Sequence, residues 1–266
     1  MRIALGIEYD GSRYVGWQRQ KSGLGVQECI EEAVALVANE PAEVLCAGRT
    51  DAGVHAIGQV AHFDTQAERT ERGWVLGINS NLPDEINVCY ARVVDDDFHA
   101  RFSALSRTYH YLILNRLVRS SLYRNRAWWI HESLDVARMQ EAAPCLLGEH
   151  DFSAFRAAGC QATTPVRTIR QLEIERTGEW LRISVNANAF LQHMVRNIAG
   201  TLVEIGRGEQ TPEWMQTVLA GRDRKAAGVA APPHGLTFVG VEYPDTYDLP
   251  SRIADTPLIK VYDSTL

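Results

Sequence analysis

The segment Cys46-Ala47-Gly48-Arg49-Thr50-Asp51-Ala52-Gly53-Val54-His55 is polar and lies between two apolar runs, 44–46 and 60–63. Gly48 and Gly53 permit a tight or positive-φ backbone around the Asp51 carboxylate. Two uses of that carboxylate fit the spacing. It can close an Asx turn onto its own backbone, or it can stand ionised in a cleft as a nucleophile. Arg49, two residues away, has no part in a plain turn and would favour the charged form. His55, His99, His110 and His193 occur singly, without metal-site spacing, and His55 and His193 read as structural or supporting groups. No Rossmann, P-loop or metal-ligand pattern occurs, so no cofactor and no metal is expected.

The elements that must position these residues follow from periodicity. Ile3, Leu5, Ile7 and Tyr9 alternate with Ala4, Gly6 and Glu8, the period of a half-buried strand. Val26, Cys29, Ile30, Ala33, Val34 and Val37 recur on a helical stripe. The apolar runs at 44–46 and 60–63, a weaker helix at 69–79 and a strand at 86–94 complete the order β-α-β-β-α-β. The second half opens with a strand at 109–114, then a helix at 134–147 that Pro144 must bend or shorten. Strands at 169–175 and 181–186 flank the turn Thr177-Gly178-Glu179 as a hairpin. A helix with Leu191, Val195, Ile198, Leu202 and Ile205 on one stripe follows. A second helix opens at Thr211-Pro212, and a strand at 237–243 ends the pattern.

Tyr109 and Tyr111 fall on a strand, where a tyrosine is ordinarily packed. Arg196 lies about 140° round its helix from the Leu191 stripe, away from the core. The repeated order predicts an α+β fold: two ferredoxin-like (β-α-β-β-α-β) halves sharing a mostly antiparallel extended sheet, with an active-site cleft between them. The expected divisions are 1–105, which carries the Asp51 loop, 106–244, which has an extra helix, and a surface tail, 245–266.

With 266 residues, 45% apolar and 23% charged, the composition is globular and the chain is long enough to bury a core without staples. Its 27 Lys plus Arg against 33 Asp plus Glu give a net charge of −6. Only Lys21, Lys225 and Lys260 are lysines, which leaves 24 arginines. Arginine suits bidentate phosphate contacts, although a bias in coding composition would produce the same excess. An acidic chain that binds nucleic acid must do so through a local basic cleft. Cys29, Cys46, Cys89, Cys145 and Cys160 are odd in number and form no C-x-x-C pair, as expected of reduced, mostly buried thiols in a cytoplasmic protein. Acidic residues interrupt the N-terminal apolar stretch and no run approaches ~18 apolar residues, so neither export nor membrane insertion is expected.

The run Gly48-Arg49-Thr50-Asp51-Ala52-Gly53-Val54-His55 resembles the catalytic motif of TruA-type tRNA pseudouridine synthases. In the same order, further segments resemble that family. They are Tyr9-Asp10-Gly11 with Gly16-Trp17-Gln18-Arg19-Gln20, Asn81-Leu82-Pro83, the stretch Phe98-His99-Ala100-Arg101-Phe102-Ser103-Ala104, and Arg107-Thr108-Tyr109-His110-Tyr111. Asp151-Phe152-Ser153-Ala154-Phe155-Arg156, the stretch from Asn188 through Gln192-His193-Met194-Val195-Arg196-Asn197, and Ala231-Pro232-Pro233-His234-Gly235-Leu236 continue it. The resemblance runs from about residue 2 to 243. Ala230 departs from it where a threonine is expected, which touches a peripheral contact.

The resemblance implies isomerisation of uridine to pseudouridine in the anticodon stem-loop of tRNA, at positions 38, 39 and 40, without a cofactor. Asp51 would be the nucleophile on an extruded uridine, Tyr109 would stack on the target base, and Arg196 would be a second partner of Asp51. Arg49 would also bind substrate, and Arg19, Arg101, Arg107 and Arg156 are candidates for RNA contacts. Family members are homodimers, and a dimer would let an acidic chain assemble a basic groove. The alternative is a non-catalytic RNA-binding module or RNA chaperone of the same fold. A carboxylate beside an arginine separates the two, because a surface facing phosphate gains nothing from negative charge. Glycoside hydrolysis would want a second carboxylate, and no partner for Asp51 is evident.

Overall fold

The structure, a computed structural model, describes residues 1–250; residues 251–266, most of the expected tail, lie outside the described residues. In chain order the elements are β1 (Arg2–Tyr9), α1 (Val26–Ala38), β2 (Leu45–Cys46), β3 (His55–Asp64), α2 (Glu71–Asn79), β4 (Ile86–Val94) and β5 (Ser106–Asn115). There follow β6 (Trp128–Ile130), α3 (Val136–Ala142), β7 (Gly148–Asp151), β8 (Val166–Thr177), β9 (Trp180–Ala187), α4 (Met194–Gly206), α5 (Glu213–Gly221) and β10 (Leu236–Glu242). The fold is α+β with mostly antiparallel strands, and the short β6 and β7 have no counterpart in the sequence pattern. Its described residues form two compact units, 1–107 with 237–250, and 108–236.

In the first unit β1 lies between β4 and β3, with Leu5 opposite Ala61 on one side and Ala91 on the other, both antiparallel. The far edge of β3 is shared: β2 pairs antiparallel with Ala61 and His62, and β10 pairs parallel with His55 and Ala56. β1 is therefore central, and residues 3–7 are all buried, where alternation predicted a half-buried strand. The reason is that Ala4 and Gly6 are small and have a layer above them. Ala4 joins Ala47, Val60, Val94, Phe98 and Ala100 in a cluster that Val241, Tyr243, Tyr247 and Leu249 complete. A Cβ on Gly6 would come within 2.0 Å of the Tyr90 ring. Residues just past β10, expected to begin a surface tail, thus pack on this face; the Tyr247 ring lies 5.0 Å from that of Phe98. On the opposite face Phe63, paired with Ile3, meets Trp74 of α2 edge-on at 5.3 Å. Thr70 starts α2 by accepting the Gly73 amide at 3.0 Å, which directs Trp74 into the core.

In the second unit β9 lies between β5 and β8, with β7 beyond β8 and β6 parallel on β5. Gly178, at φ +57, turns the β8–β9 hairpin. Pro144 shortens α3 as expected: the α-helix stops at Ala142 and the proline sits in a 3-10 turn, Ala143–Leu146. α4 departs from its predicted stripe. Leu191 precedes the helix, and every residue of α4 except Arg196 and Glu204 is buried. Small residues permit this; a Cβ on Gly200 would stand 1.8 Å from the Val229 carbonyl. All five cysteines are free thiols, but only Cys29 and Cys46 are buried, fewer than expected. Among the described residues no helix is long and apolar enough to cross a membrane.

Trp74 has no exposed surface, and its ring contact with Phe63 joins α2 to the sheet. Trp74→Ala is expected to cost ~3–5 kcal/mol of unfolding free energy. Urea denaturation checks this; a loss under ~1 kcal/mol would mean that the cavity collapses without consequence.

Candidate active site

β2 ends at Cys46 opposite Ala61, yet β3 begins at His55, so residues 47–54 must run back along the edge of β3. A loop so placed loses water from its amides and carbonyls, and each needs a partner. Ala47 donates its N–H to the Val60 carbonyl at 2.7 Å. Gln59, wholly buried, donates Nε2–H to the Gly48 carbonyl at 2.7 Å and accepts the Gly48 N–H at 3.4 Å. Thr50 Oγ1 lies 2.7 Å from the Tyr9 hydroxyl, and its carbonyl accepts the Trp17 N–H at 3.0 Å. Beyond Asp51, which forms an isolated bridge with Gly16, Gly53 donates to the Tyr14 carbonyl at 3.3 Å and Val54 donates to the Asp51 carbonyl at 3.1 Å.

Of the two glycines flanking Asp51, Gly53 has a positive φ of +78 and Gly48 does not. The glycine that matters as much is Gly16, at φ +108, where a Cβ would lie 2.5 Å from the Thr50 carbonyl. His55 is structural in this arrangement: its Nδ1 accepts the Gly11 N–H at 3.1 Å. Asp51 is half-buried and Arg49 exposed. Burial pushes the Cys46 thiol up to about 12, with the Arg49 charge pulling the other way, so Cys46 is no thiolate nucleophile.

Arg107 is almost wholly buried. It is 9% exposed, with Nη2 donating to the carbonyls of Ala47 at 3.2 Å and Arg101, and Nη1 to Ala104 at 3.3 Å. A guanidinium committed in this way braces the loop and leaves little for phosphate. Arg101 is exposed, its Cζ 5.5 Å from the Phe102 ring centroid. Arg19 is exposed and ion-paired with Glu31 at 3.4 Å and Glu28 at 3.8 Å. Under the same turn, His62 Nδ1 accepts the Ala100 N–H at 3.2 Å. Burial, helped by His99 and Arg2, pulls His62 down to about 4.

Tyr109, Arg156 and Arg196 belong to the second unit. Tyr109 is buried on β5, its ring edge-on to Phe190 at 4.9 Å. Arg196, in the first turn of α4, donates Nε–H to the Ala231 carbonyl at 2.8 Å, while Ala231 donates back to the Arg196 carbonyl at 3.0 Å. The same strap is held to β5. The Tyr111 hydroxyl donates to the Pro232 carbonyl at 2.8 Å, and a Cβ on Gly235 would lie 2.7 Å from the Tyr111 ring. The run from Ala231 to Gly235 therefore sets the position of Arg196 relative to the strand that carries Tyr109. Arg156 donates to the carbonyls of Cys160 at 2.7 Å and Ala162 at 2.8 Å, closing its own loop.

Sequence reasoning missed Gln59, Phe102, Phe190 and the bracing role of Arg107. Gln59 does carry a signal, as an amide between the apolar residues Ile57 and Val60–Ala61 of β3. Among the described residues no group of three or more His, Cys, Asp or Glu stands close enough to hold a metal ion.

The family model for tRNA pseudouridine synthase matches residues 6–103 and 142–244. The tRNA pseudouridine synthase A of Nitrosococcus oceani is 54% identical over 250 residues, covering 94% of this chain and 96% of that protein. Its namesake in Coxiella burnetii is 55% identical over 249 residues, covering 94% and 95%. The one in Pseudomonas aeruginosa is 54% identical over 252 residues, covering 94% and 88%. Among solved structures, a chain in "Crystal Structure of a Cbf5-Nop10-Gar1 Complex" matches 76% of this chain and 45% of its own length. At 14% identity and a TM-score of 0.33, that likeness is too slight to argue from.

The folded state holds His62 neutral, below its ordinary value of 6.5. Its stabilising contribution is complete above pH ~6.5 and fades as the pH falls toward 4, because the unfolded chain takes up the proton first. Urea midpoints are expected to drop across that window. Burial, helped by Arg182, pulls His110 down to about 4 as well, so the two histidines share this window. His62→Gln keeps a side chain able to accept the Ala100 amide but does not titrate, and should make the profile shallower; a slope as steep as the parent's would remove His62 as a cause.

Proposed function

Because the chain belongs to the tRNA pseudouridine synthase family and isomerises uridine to pseudouridine in tRNA, we propose that Asp51 is the nucleophile and that the target uridines are positions 38, 39 and 40 of the anticodon stem-loop. In this reaction the N1–C1′ bond breaks, the uracil turns while held, and C5 bonds to C1′; C5 then gives up its proton and N1 gains one. A carboxylate can begin it by attacking C1′, by attacking C6 or by removing a ribose proton. All three need the ionised form. The observation that carries the assignment is the 47–54 loop. Asp51 is its one acidic residue, and the backbone on both sides is tied down, at Thr50 and at Gly53. Such a loop holds one carboxylate in one place, as nucleophilic attack requires.

A uridine in a stem is out of reach until extruded, at a cost of a few kcal/mol in stacking. Tyr109 is assigned the aromatic face that receives the base, and Arg196 the cation that keeps the nucleophile charged. Support for the second assignment is the fixed geometry of Arg196, whose guanidinium and carbonyl are both bonded to Ala231. Arg49, Arg101 and Arg19, all exposed, are assigned to the RNA strand, and Arg107 and Arg156 to shaping the loops that present them. We assign the enzyme to the cytoplasm as a homodimer, and its halves to the ferredoxin-like class. The order β4-β1-β3-β2 in the first unit supports that class for the first half.

Pseudouridine mapping of an unmodified tRNA transcript, in buffer with EDTA and no nucleotide, tests the reading. Conversion at 38, 39 or 40 supports it; conversion confined to another arm overturns the choice of site. Asp51→Asn is expected to lower turnover at least a hundredfold while tRNA affinity stays within about threefold, since a lone carboxylate adds little to binding a polyanion. A variant within tenfold of the parent's rate would exclude Asp51 as nucleophile.

Tyr109 separates stacking from proton transfer. Tyr109→Phe keeps the π-face, so pocket binding should survive; if the hydroxyl moves a proton during loss of the C5 hydrogen, product formation should stall after glycosidic cleavage. Tyr109→Leu should also weaken pocket occupancy by ~1–3 kcal/mol. Single-turnover rates measured beside thermal unfolding decide the matter. A destabilised but fully active Tyr109→Leu would move this residue from the site to the core.

A further inference from the structure

We propose that Phe102, set between His99 and Arg101, is a fixed aromatic step on which a nucleobase of the bound RNA stacks. The inference deepens the RNA-binding part of the proposed function and rests on it. Phe102 is 75% exposed, but a lone exposed apolar side chain is ordinary and proves nothing by itself. What sets this one apart is how it is held. The His99 ring packs against it at 4.4 Å and 40°, and His99 Nδ1 faces the N–H groups of Arg101 at 3.1 Å and Phe102 at 3.3 Å. Ser103 closes the turn, its Oγ accepting the His99 N–H and its own N–H donating to the His99 carbonyl, both at 2.9 Å. A large apolar ring fixed mostly in water loses rotamer freedom and gains little burial, so the fixing does little for the folded chain alone.

Arg107 adds the second observation. Its guanidinium holds the Arg101 and Ala104 carbonyls, which bracket Phe102, and also the Ala47 carbonyl, where the Asp51 loop begins. The Phe102 turn and the candidate catalytic loop, both within the first unit, are therefore built on one brace and keep a set spacing. The third observation is chemical. Arg101 places a cation 5.5 Å from the exposed ring, and an aromatic face beside a guanidinium is the pairing that takes a base on the ring and the adjoining phosphate on the charge. A protein partner would need only the apolar surface, so the cation favours RNA.

The test uses the full-length protein and an unmodified anticodon-arm transcript. Phe102→Leu keeps apolar bulk and loses the π-face; its dissociation constant is expected to rise about 5- to 150-fold, the range for one lost stack. Phe102→Trp should bind within about threefold of the parent, and its indole emission should fall as RNA is added. Thermal unfolding of both variants should match the parent, given how exposed the residue is. A Phe102→Leu affinity within twofold of the parent overturns the proposal. So does a loss of affinity that tracks a change in sedimentation of the RNA-free protein, since the ring would then be a contact between copies of the chain. If the parent leaves positions 38 to 40 unmodified while Phe102→Leu still loses affinity, the anticodon assignment fails and the stacking stands. If the parent modifies them and Phe102→Leu binds as the parent does, the stacking alone fails.

Discussion

A loop laid beside a strand edge has to satisfy its own backbone, and that requirement governs the candidate site. Residues 47–54 run against β3 because β2 ends six residues past the start of its partner. Every group that then loses water needs a donor or acceptor from a neighbour. Gln59, Tyr9, Trp17 and Tyr14 supply them, and three of these four side chains or backbones come from β1 or the segment just after it. The central position of β1, buried on both faces, is thus a condition for the site as well as for the core.

Arginine has a double part in this chain. Its planar fork can satisfy several carbonyls at once, and Arg107 and Arg156 use it to tie down loops from within. Lysine, a point charge on a flexible stem, would do this less well. Arg49 and Arg101 remain exposed and near the segments where RNA contact is assigned. The net charge of −6 and the arginine excess are compatible for that reason, because part of the cationic inventory is structural. The strap from Ala231 to Gly235 applies the same logic in the second unit, where reciprocal bonds with Arg196 fix a side chain that would otherwise sweep through several rotamers.

Much was legible in the chain itself. Period-two alternation and the helical stripe placed β1, α1, β4, β5, the β8–β9 hairpin and β10, because a face that must be buried imposes its period on the residues that fill it. Pro144 ended α3 for the local reason that it cannot donate an amide. The glycine-flanked Asp51 segment stood out because its polarity interrupts two apolar strands, and its likeness to a family motif supplied a chemistry. Other features were decided in three dimensions. β1 is covered on both faces, since Ala4 and Gly6 admit a second layer that composition does not reveal. α4 is buried almost all round because Gly200 admits the carbonyl of Val229, far downstream in the chain. Arg107 and Arg101 look alike in the sequence, yet one is sealed under a turn and the other lies in water beside Phe102. An arginine's charge is a property of its residue type, whereas what that charge meets depends on which distant carbonyls the fold brings within 3 Å or so, and no local pattern encodes that.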